Sequence, residues 1–143
     1  MRLVVFVDDN LGISFNSKRQ SKDRIAIDKL LEHIGDSEIF LTEYSSKLFE
    51  SHEVAKVIIE NLEYLPCDGT VIIEDLAEDL ERSIDGMMQH LDKLILIRWN
   101  RKYPFTTKLP KILQEIIKKN PQHTEEFKGS SHDKITLEVY NIE

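Results

Sequence analysis

Three polar segments hold most of the residue types that could bind or act on a ligand. The first is Asn16-Ser17-Lys18-Arg19-Gln20-Ser21-Lys22-Asp23-Arg24, which crowds Lys18, Arg19, Lys22 and Arg24 around the start of a helix that Ser21 is placed to cap. A helix N-terminus carries partial positive charge, and each cation misplaced there costs roughly 0.3–1 kcal/mol at an exposed site. An anion seated on the free N–H groups would relieve the conflict, with Arg19 gripping it through a two-pronged hydrogen bond. Asn16, Arg19, Gln20 and Ser21 are therefore ligand-binding candidates. The competing reading is a solvated charge run whose cations pair with neighbouring carboxylates.

The second segment, Arg98-Trp99-Asn100-Arg101-Lys102-Tyr103-Pro104, combines aromatic faces, guanidinium groups and an amide. A nucleobase could stack on Trp99 or Tyr103 while Arg101 meets phosphate and Asn100 reads a base or ribose edge. Trp99 and Tyr103 could equally be packing anchors at the edge of a core. The third, Lys128-Gly129-Ser130-Ser131-His132-Asp133-Lys134, offers small residues whose N–H groups suit an anion-binding nest, or else an exposed turn or helix cap. Ser130, Ser131 and His132 join the ligand candidates. His132 is also the best candidate for a general acid or base, with Lys134 beside it. Asp8, a further ligand candidate, could hold a divalent cation with Asp75, although adjacent Asp8 and Asp9 in an extended segment would point to opposite faces. No other metal or cofactor site is expected, and the chain contains no G-x-G-x-x-G, Walker lysine loop, G-x-S-x-G or H-E-x-x-H.

These segments need a scaffold, and the apolar pattern describes one. Leu3 to Val7 reads as a buried strand ending in Asp8-Asp9-Asn10, Thr70 to Ile73 as another ending in Glu74-Asp75, and Lys93 to Ile97 as a third running into Arg98-Trp99. Glu38 to Thr42 reads as a short strand, followed by a turn or short helix over Tyr44 to Glu50. Ile27, Leu30, Leu31 and Ile34 repeat at helical spacing before Gly35, and Ile112, Leu113, Ile116 and Ile117 do so after Pro110. An acidic amphipathic helix or helix pair runs through Leu76, Leu80, Ile84, Met87, Met88 and Leu91. Residues 54–65 and 133–142 fit either a strand or a helix. The alternation predicts one α/β domain over residues 1–143, a Rossmann-like layered fold with a mostly parallel central sheet. Such sheets take ligands outside the carboxyl ends of their strands, where the polar segments would emerge together.

Composition narrows the partners. The 143 residues are 41% hydrophobic and 31% charged, a globular balance, and the net charge of −7 opposes adhesion to a long nucleic-acid duplex. The short apolar start suits neither a signal peptide nor a membrane span, and one cysteine, Cys67, allows no internal disulfide. A cytoplasmic protein with no membrane partner is expected, and a homo-oligomer is compatible with the pattern.

The segments Val7-Asp8-Asp9, Phe15-Asn16 with Arg19-Gln20-Ser21 and Asp23, Trp99-Asn100-Arg101 with Tyr103-Pro104, and Gly129-Ser130-Ser131-His132 with Lys134-Ile135-Thr136 resemble a family of small bacterial proteins, mainly from Firmicutes, whose members often carry a ribonuclease Z label. Ribonuclease Z proper is a larger nuclease of the metallo-β-lactamase fold with a clustered H-x-H-x-D-H motif. Here His33, His52, His90, His123 and His132 are dispersed, so two-zinc chemistry is not expected. The resemblance groups the polar segments without supplying an activity.

Three functions remain open on this reading. The first is binding, and in that way sequestration, of a small phosphate-bearing ligand such as a nucleotide or nucleotide-derived signal. The second is a phosphodiesterase or ribonuclease acting on such a ligand through His132, Lys134 and Arg101. The third is a protein-interaction or regulatory module.

Overall fold

A computed structural model describes residues 1–60, 68–74 and 80–142. In chain order the elements are β1 (Arg2–Val7), β2 (Gly12–Phe15), β3 (Lys18–Arg19), α1 (Arg24–Ile34), β4 (Ile39–Leu41) and α2 (Glu43–Ser46), which continues as a 3-10 turn over Lys47–Phe49. They are followed by β5 (Lys56–Ile58), β6 (Thr70–Ile73), α3 (Leu80–Met87) with a 3-10 turn over Met88–His90, β7 (Lys93–Arg98), β8 (Thr107–Lys108), α4 (Lys111–Ile116), β9 (His123–Phe127) and β10 (Ile135–Asn141).

Seven strands form one sheet in the order β5-β4-β6-β1-β7-β10-β9. The first five run parallel, whereas β10 is antiparallel to β7 and β9 antiparallel to β10. The expectation of a layered α/β fold holds at that level. The sheet is mostly parallel, as expected, but Rossmann-like is too specific, because antiparallel pairing on both sides of β10 makes the sheet mixed. The reason lies in the connection before β10: the few residues between Phe127 and Ile135 suffice for a hairpin, while a parallel crossover needs a dozen or more.

Side-chain alternation along the central strands feeds two cores. From β1, Leu3, Val5 and Val7 enter one with Ile84 and Met87 of α3 and Leu113 and Ile116 of α4. Val4 and Phe6 enter the other, with Ala26, Ile27, Leu30 and Ile34 of α1. Burial on both faces explains the uninterrupted apolar runs of β1 and β7.

Residues 56–58 resolve as an edge strand and residues 135–141 as β10, settling the open alternatives there, while 61–67 lie outside the described residues. The segment from Leu76 to Asp79 also lies outside them, so the acidic helix is seen only from Leu80 onward. The small antiparallel sheet β3-β2-β8 was not legible, since two strands of two residues and one of four, opening on Gly12, carry too little periodicity. β9 was missed as well, because His123-Thr-Glu-Glu-Phe is an edge strand with no buried residue. Among the described residues, no helix is long and apolar enough to cross a membrane.

Candidate active site

The parallel register puts the ends of β1, β6 and β7 on one edge, with Val7 beside Arg98 and Val5 beside Ile73. β10 runs the opposite way and therefore starts at that edge, which delivers the 128–134 turn to it. The segment leading into α1 arrives there too. All three polar segments meet there: the one after β7 lies at a carboxyl strand end, and the 128–134 turn joins it because β10 is antiparallel.

Their meeting point is the carboxylate of Asp23. The helix is capped by Asp23 and not by Ser21: its Oδ1 accepts the N–H groups of Ile25 at 2.9 Å and Ala26 at 3.3 Å. The Ser130-Ser131 turn does form an anion nest, and its occupant is this side chain. Ser130 N–H donates to Oδ1 at 2.9 Å and Ser131 N–H to Oδ2 at 2.8 Å, with both serine hydroxyls adding bonds of 3.1 Å. The expected conflict between the helix end and its surrounding cations is thus resolved within the chain. Burial pushes the Asp23 carboxyl up, but the N–H groups of Ser130, Ser131 and Ala26, together with His132, outweigh it and hold it well below the usual carboxylate range. Gly129 is required beside this carboxylate, since a Cβ there would lie 2.3 Å from Oδ2.

His132 continues the array. Its Nδ1 lies 2.9 Å from Asp23 Oδ2, and its Nε2 lies 3.0 Å from Ser21 Oγ and 2.9 Å from the Tyr103 hydroxyl. An ionised Asp23 has only lone pairs to offer, so Nδ1 carries the proton and donates it, and in the neutral ring Nε2 presents its lone pair to Ser21 and Tyr103. Trp99 stacks on the imidazole at 4.7 Å between centroids, and Phe6 stacks on Trp99 at 5.3 Å. Both His132 and Asp23 are buried, whereas Ser21 and Tyr103 are partly exposed. A carboxylate, an imidazole and a hydroxyl in this order can withdraw a proton from the hydroxyl and make it a nucleophile.

The remaining candidates separate into supports and open positions. Asp8 is buried and accepts N–H groups from Asn10 at 2.9 Å, Gly12 at 2.7 Å and Tyr103 at 3.0 Å, so it fastens the loop that carries Tyr103. Those bonds occupy both its oxygens, and Asp75 lies outside the described residues. Trp99 is a buried anchor without a face for a nucleobase. Asn100 sits at φ 58° and spends its amide on Lys134 O at 3.2 Å and Thr136 Oγ1 at 2.9 Å, stitching β7 to β10. Lys134 is not a partner of His132: its ammonium pairs with Glu126 at 3.1 Å on the surface. The Arg101 side chain is exposed, and its carbonyl accepts Asp9 N–H at 2.9 Å.

Arg19 is largely committed. Its Nε and Nη2 donate to the two oxygens of buried Glu74 at 2.7 and 3.0 Å, and its guanidinium lies 4.2 Å over the Tyr44 ring. Burial opposes the Arg19 charge, but Glu74 overcomes that cost and raises its pKa. The arginine therefore answers an internal carboxylate in place of the expected ligand anion. Beside it, a groove of about 360 Å3 is lined by Phe15, Asn16, Lys18, Arg19, Gln20, Tyr103 and Pro104. Phe15, an aromatic that sequence reasoning did not single out as a ligand contact, is 41% exposed there. Asp23 and Glu74 were also passed over as site residues. Asp23 carried a signal, because aspartate is as good a helix cap as serine and stands directly before Arg24-Ile25-Ala26-Ile27.

No protein-family model matches the chain, and no curated protein sequence matches it. Among solved structures it is similar to dihydrofolate reductase from Enterococcus faecalis complexed with NADP(H) and RAB-propyl. The TM-score is 0.60 at 11% sequence identity, covering 98% of this chain and 94% of that one. At that identity the likeness is one of fold: a mixed α/β domain with a dihydrofolate-reductase-like arrangement.

Proposed function

We propose that the chain is a hydrolase of small phosphate-bearing, nucleotide-like molecules, in which Ser21 is the nucleophile and His132, held by Asp23, is its base. The continuous Asp23-His132-Ser21 hydrogen-bond array carries this reading. The neighbouring groove supplies a place for the ligand: Lys18 offers charge, Asn16 and Gln20 polar contacts, and Phe15 and Tyr103 aromatic faces for a base.

In the reaction, Ser21 Oγ attacks phosphorus as its proton passes to His132 Nε2, and Asp23 stabilises the resulting imidazolium. The phosphorus bond to the leaving oxygen breaks, and that oxygen takes the proton from His132. Water then attacks the phosphoseryl ester, giving its proton to His132, which returns one to Ser21. The Tyr103 hydroxyl lies 3.4 Å from Ser21 Oγ and can donate to the alkoxide as it forms.

Two assays test this. The protein is incubated with bis(p-nitrophenyl) phosphate and with cyclic nucleotides, with product analysis by chromatography; separately, it is treated with an organofluorophosphonate and its peptides are mapped by mass spectrometry. Cleavage and labelling at Ser21 are expected, both abolished in Ser21→Ala and His132→Ala. Intact substrates together with no adduct at Ser21 would refute the assignment.

A second reading, binding without cleavage, is favoured by the fold likeness to a reductase complexed with NADP(H). Calorimetry with NADPH and NADP+, followed by recovery of the dinucleotide, separates it from hydrolysis. Saturable binding with intact ligand supports holding alone.

A further inference from the structure

At the opposite end of α1, away from the array, a second cluster of chemically capable groups involves neither the groove nor the nest. His33 lies in the last turn of the helix, and His123 and Glu125 lie on β9. Residues two apart in a strand face the same side, so β9 presents His123 and Glu125 together toward α1. Glu125 Oε2 is 3.0 Å from His33 Nε2 and 3.7 Å from His123 Nε2, and the two imidazoles lie 4.9 Å apart between centroids. One ligand atom from each of the three residues falls within 4.8 Å of the others.

We propose that His33, His123 and Glu125 form a binding site for a divalent transition-metal ion of the zinc class. Two neutral imidazoles and one carboxylate are a common zinc ligand set, and bonds of about 2.0 Å in tetrahedral geometry place ligand atoms roughly 3.3 Å apart. The distances of 3.0 and 3.7 Å bracket that value. Glu125 is prepared for the role: Lys29 holds its other oxygen, Oε1, at 3.2 Å, which orients Oε2 toward the imidazoles. The side chains are partly exposed, with His123 at 49% and Glu125 at 29%, so an ion can enter from solvent and keep water in a fourth position.

Mixed nitrogen and oxygen donors select zinc, nickel or copper over magnesium or calcium, which take oxygen ligands. The site joins the end of α1 to the outermost strand. Binding there ties β9 to α1 and acts on stability, while the array at the start of α1 lies on the order of 15 Å away along the helix.

The test is calorimetric titration of chelator-treated full-length protein with Zn2+, with Mg2+ as control, repeated on His33→Ala, His123→Gln and Glu125→Gln. Urea unfolding of each metal-free variant verifies that it is folded. One equivalent of Zn2+ is expected in the wild type, with affinity falling at least about 10-fold in every variant and a raised Tm only where zinc binds. His123→Gln changes a half-exposed residue and keeps the test decisive should His33→Ala unfold. No zinc binding by the wild type, or binding undiminished in folded His123→Gln and Glu125→Gln, overturns the proposal.

Discussion

Replacing Asp23 with asparagine separates its two roles, because the change removes a charge without changing the side chain's size. Oδ1 serves Ile25, Ala26 and Ser130, and an asparagine oxygen in that place keeps the cap. Oδ2 receives Ser131 N–H at 2.8 Å, Ser131 Oγ at 3.1 Å and His132 Nδ1 at 2.9 Å. An NH2 group there faces donors with a donor. Each buried donor left without a partner costs about 1–3 kcal/mol. The Ser131 hydroxyl can rotate away and the imidazole can change tautomer, which leaves the Ser131 N–H as the fixed loss. Asp23→Asn should therefore destabilise the fold by about 1–3 kcal/mol, a sizeable part of the roughly 5–15 kcal/mol typical of a domain. Urea unfolding should show this as a midpoint lowered by about 0.5–1.5 M. The tautomer change is the sharper observable. With an amide N–H facing Nδ1, the imidazole carries its proton on Nε2, where it can no longer accept one from Ser21. Long-range 15N–1H spectra should report Nδ1–H in the wild type and Nε2–H in the variant, and Ser21 labelling should slow by roughly ten-thousand-fold, as for an amidated triad aspartate. A stable Asp23→Asn protein with an unchanged His132 tautomer and undiminished Ser21 reactivity would refute the reasoning.

Further substitutions probe the supports of the site. Gly129→Ala places a Cβ 2.3 Å from Asp23 Oδ2 and 2.7 Å from Ile135 Cδ1, so a loss of about 1–3 kcal/mol is expected in urea unfolding. Glu74→Ala leaves Arg19 charged and only partly solvated at the groove, a change expected to cost about 1–3 kcal/mol, and Glu74→Ala with Arg19→Met should recover much of it in a double-mutant cycle. Lys134→Ala should leave stability within about 0.5 kcal/mol and leave Ser21 reactivity unaltered, since its ion pair with Glu126 is exposed. Acid should unfold the protein through its depressed carboxyls. Glu125 is lowered to about 2, chiefly by the His33 hydrogen bond and then by Lys29, and Asp23 is lowered further by its N–H partners. A carboxyl whose pKa is depressed in the folded state stabilises it above the unfolded value near 4, and that stabilisation is lost as pH falls through the folded value. Urea midpoints should therefore decline from about pH 4 down to pH 2, and Glu125→Gln should flatten the decline.

The sequence by itself determined the central strands, the helices α1 and α4, and the polar residues at the ends of β1, β6 and β7. Apolar runs such as Leu3 to Val7 and the spacing of Ile27, Leu30 and Ile34 report burial directly, and burial is a local property of the pattern. Gly129-Ser130-Ser131 could be read as an anion nest or as a turn, and the cationic run beside Ser21 as a place short of negative charge. Tertiary structure decided which anions answer them. Asp23 fills the nest from 107 residues away and Glu74 reaches Arg19 across 55, and no periodicity encodes a pairing at such separations. The same holds for His132 against Ser21 and for His33 against Glu125. A hydrogen bond depends on where strand order and register carry two segments, here a β10 that runs antiparallel and brings its leading turn to the start of α1.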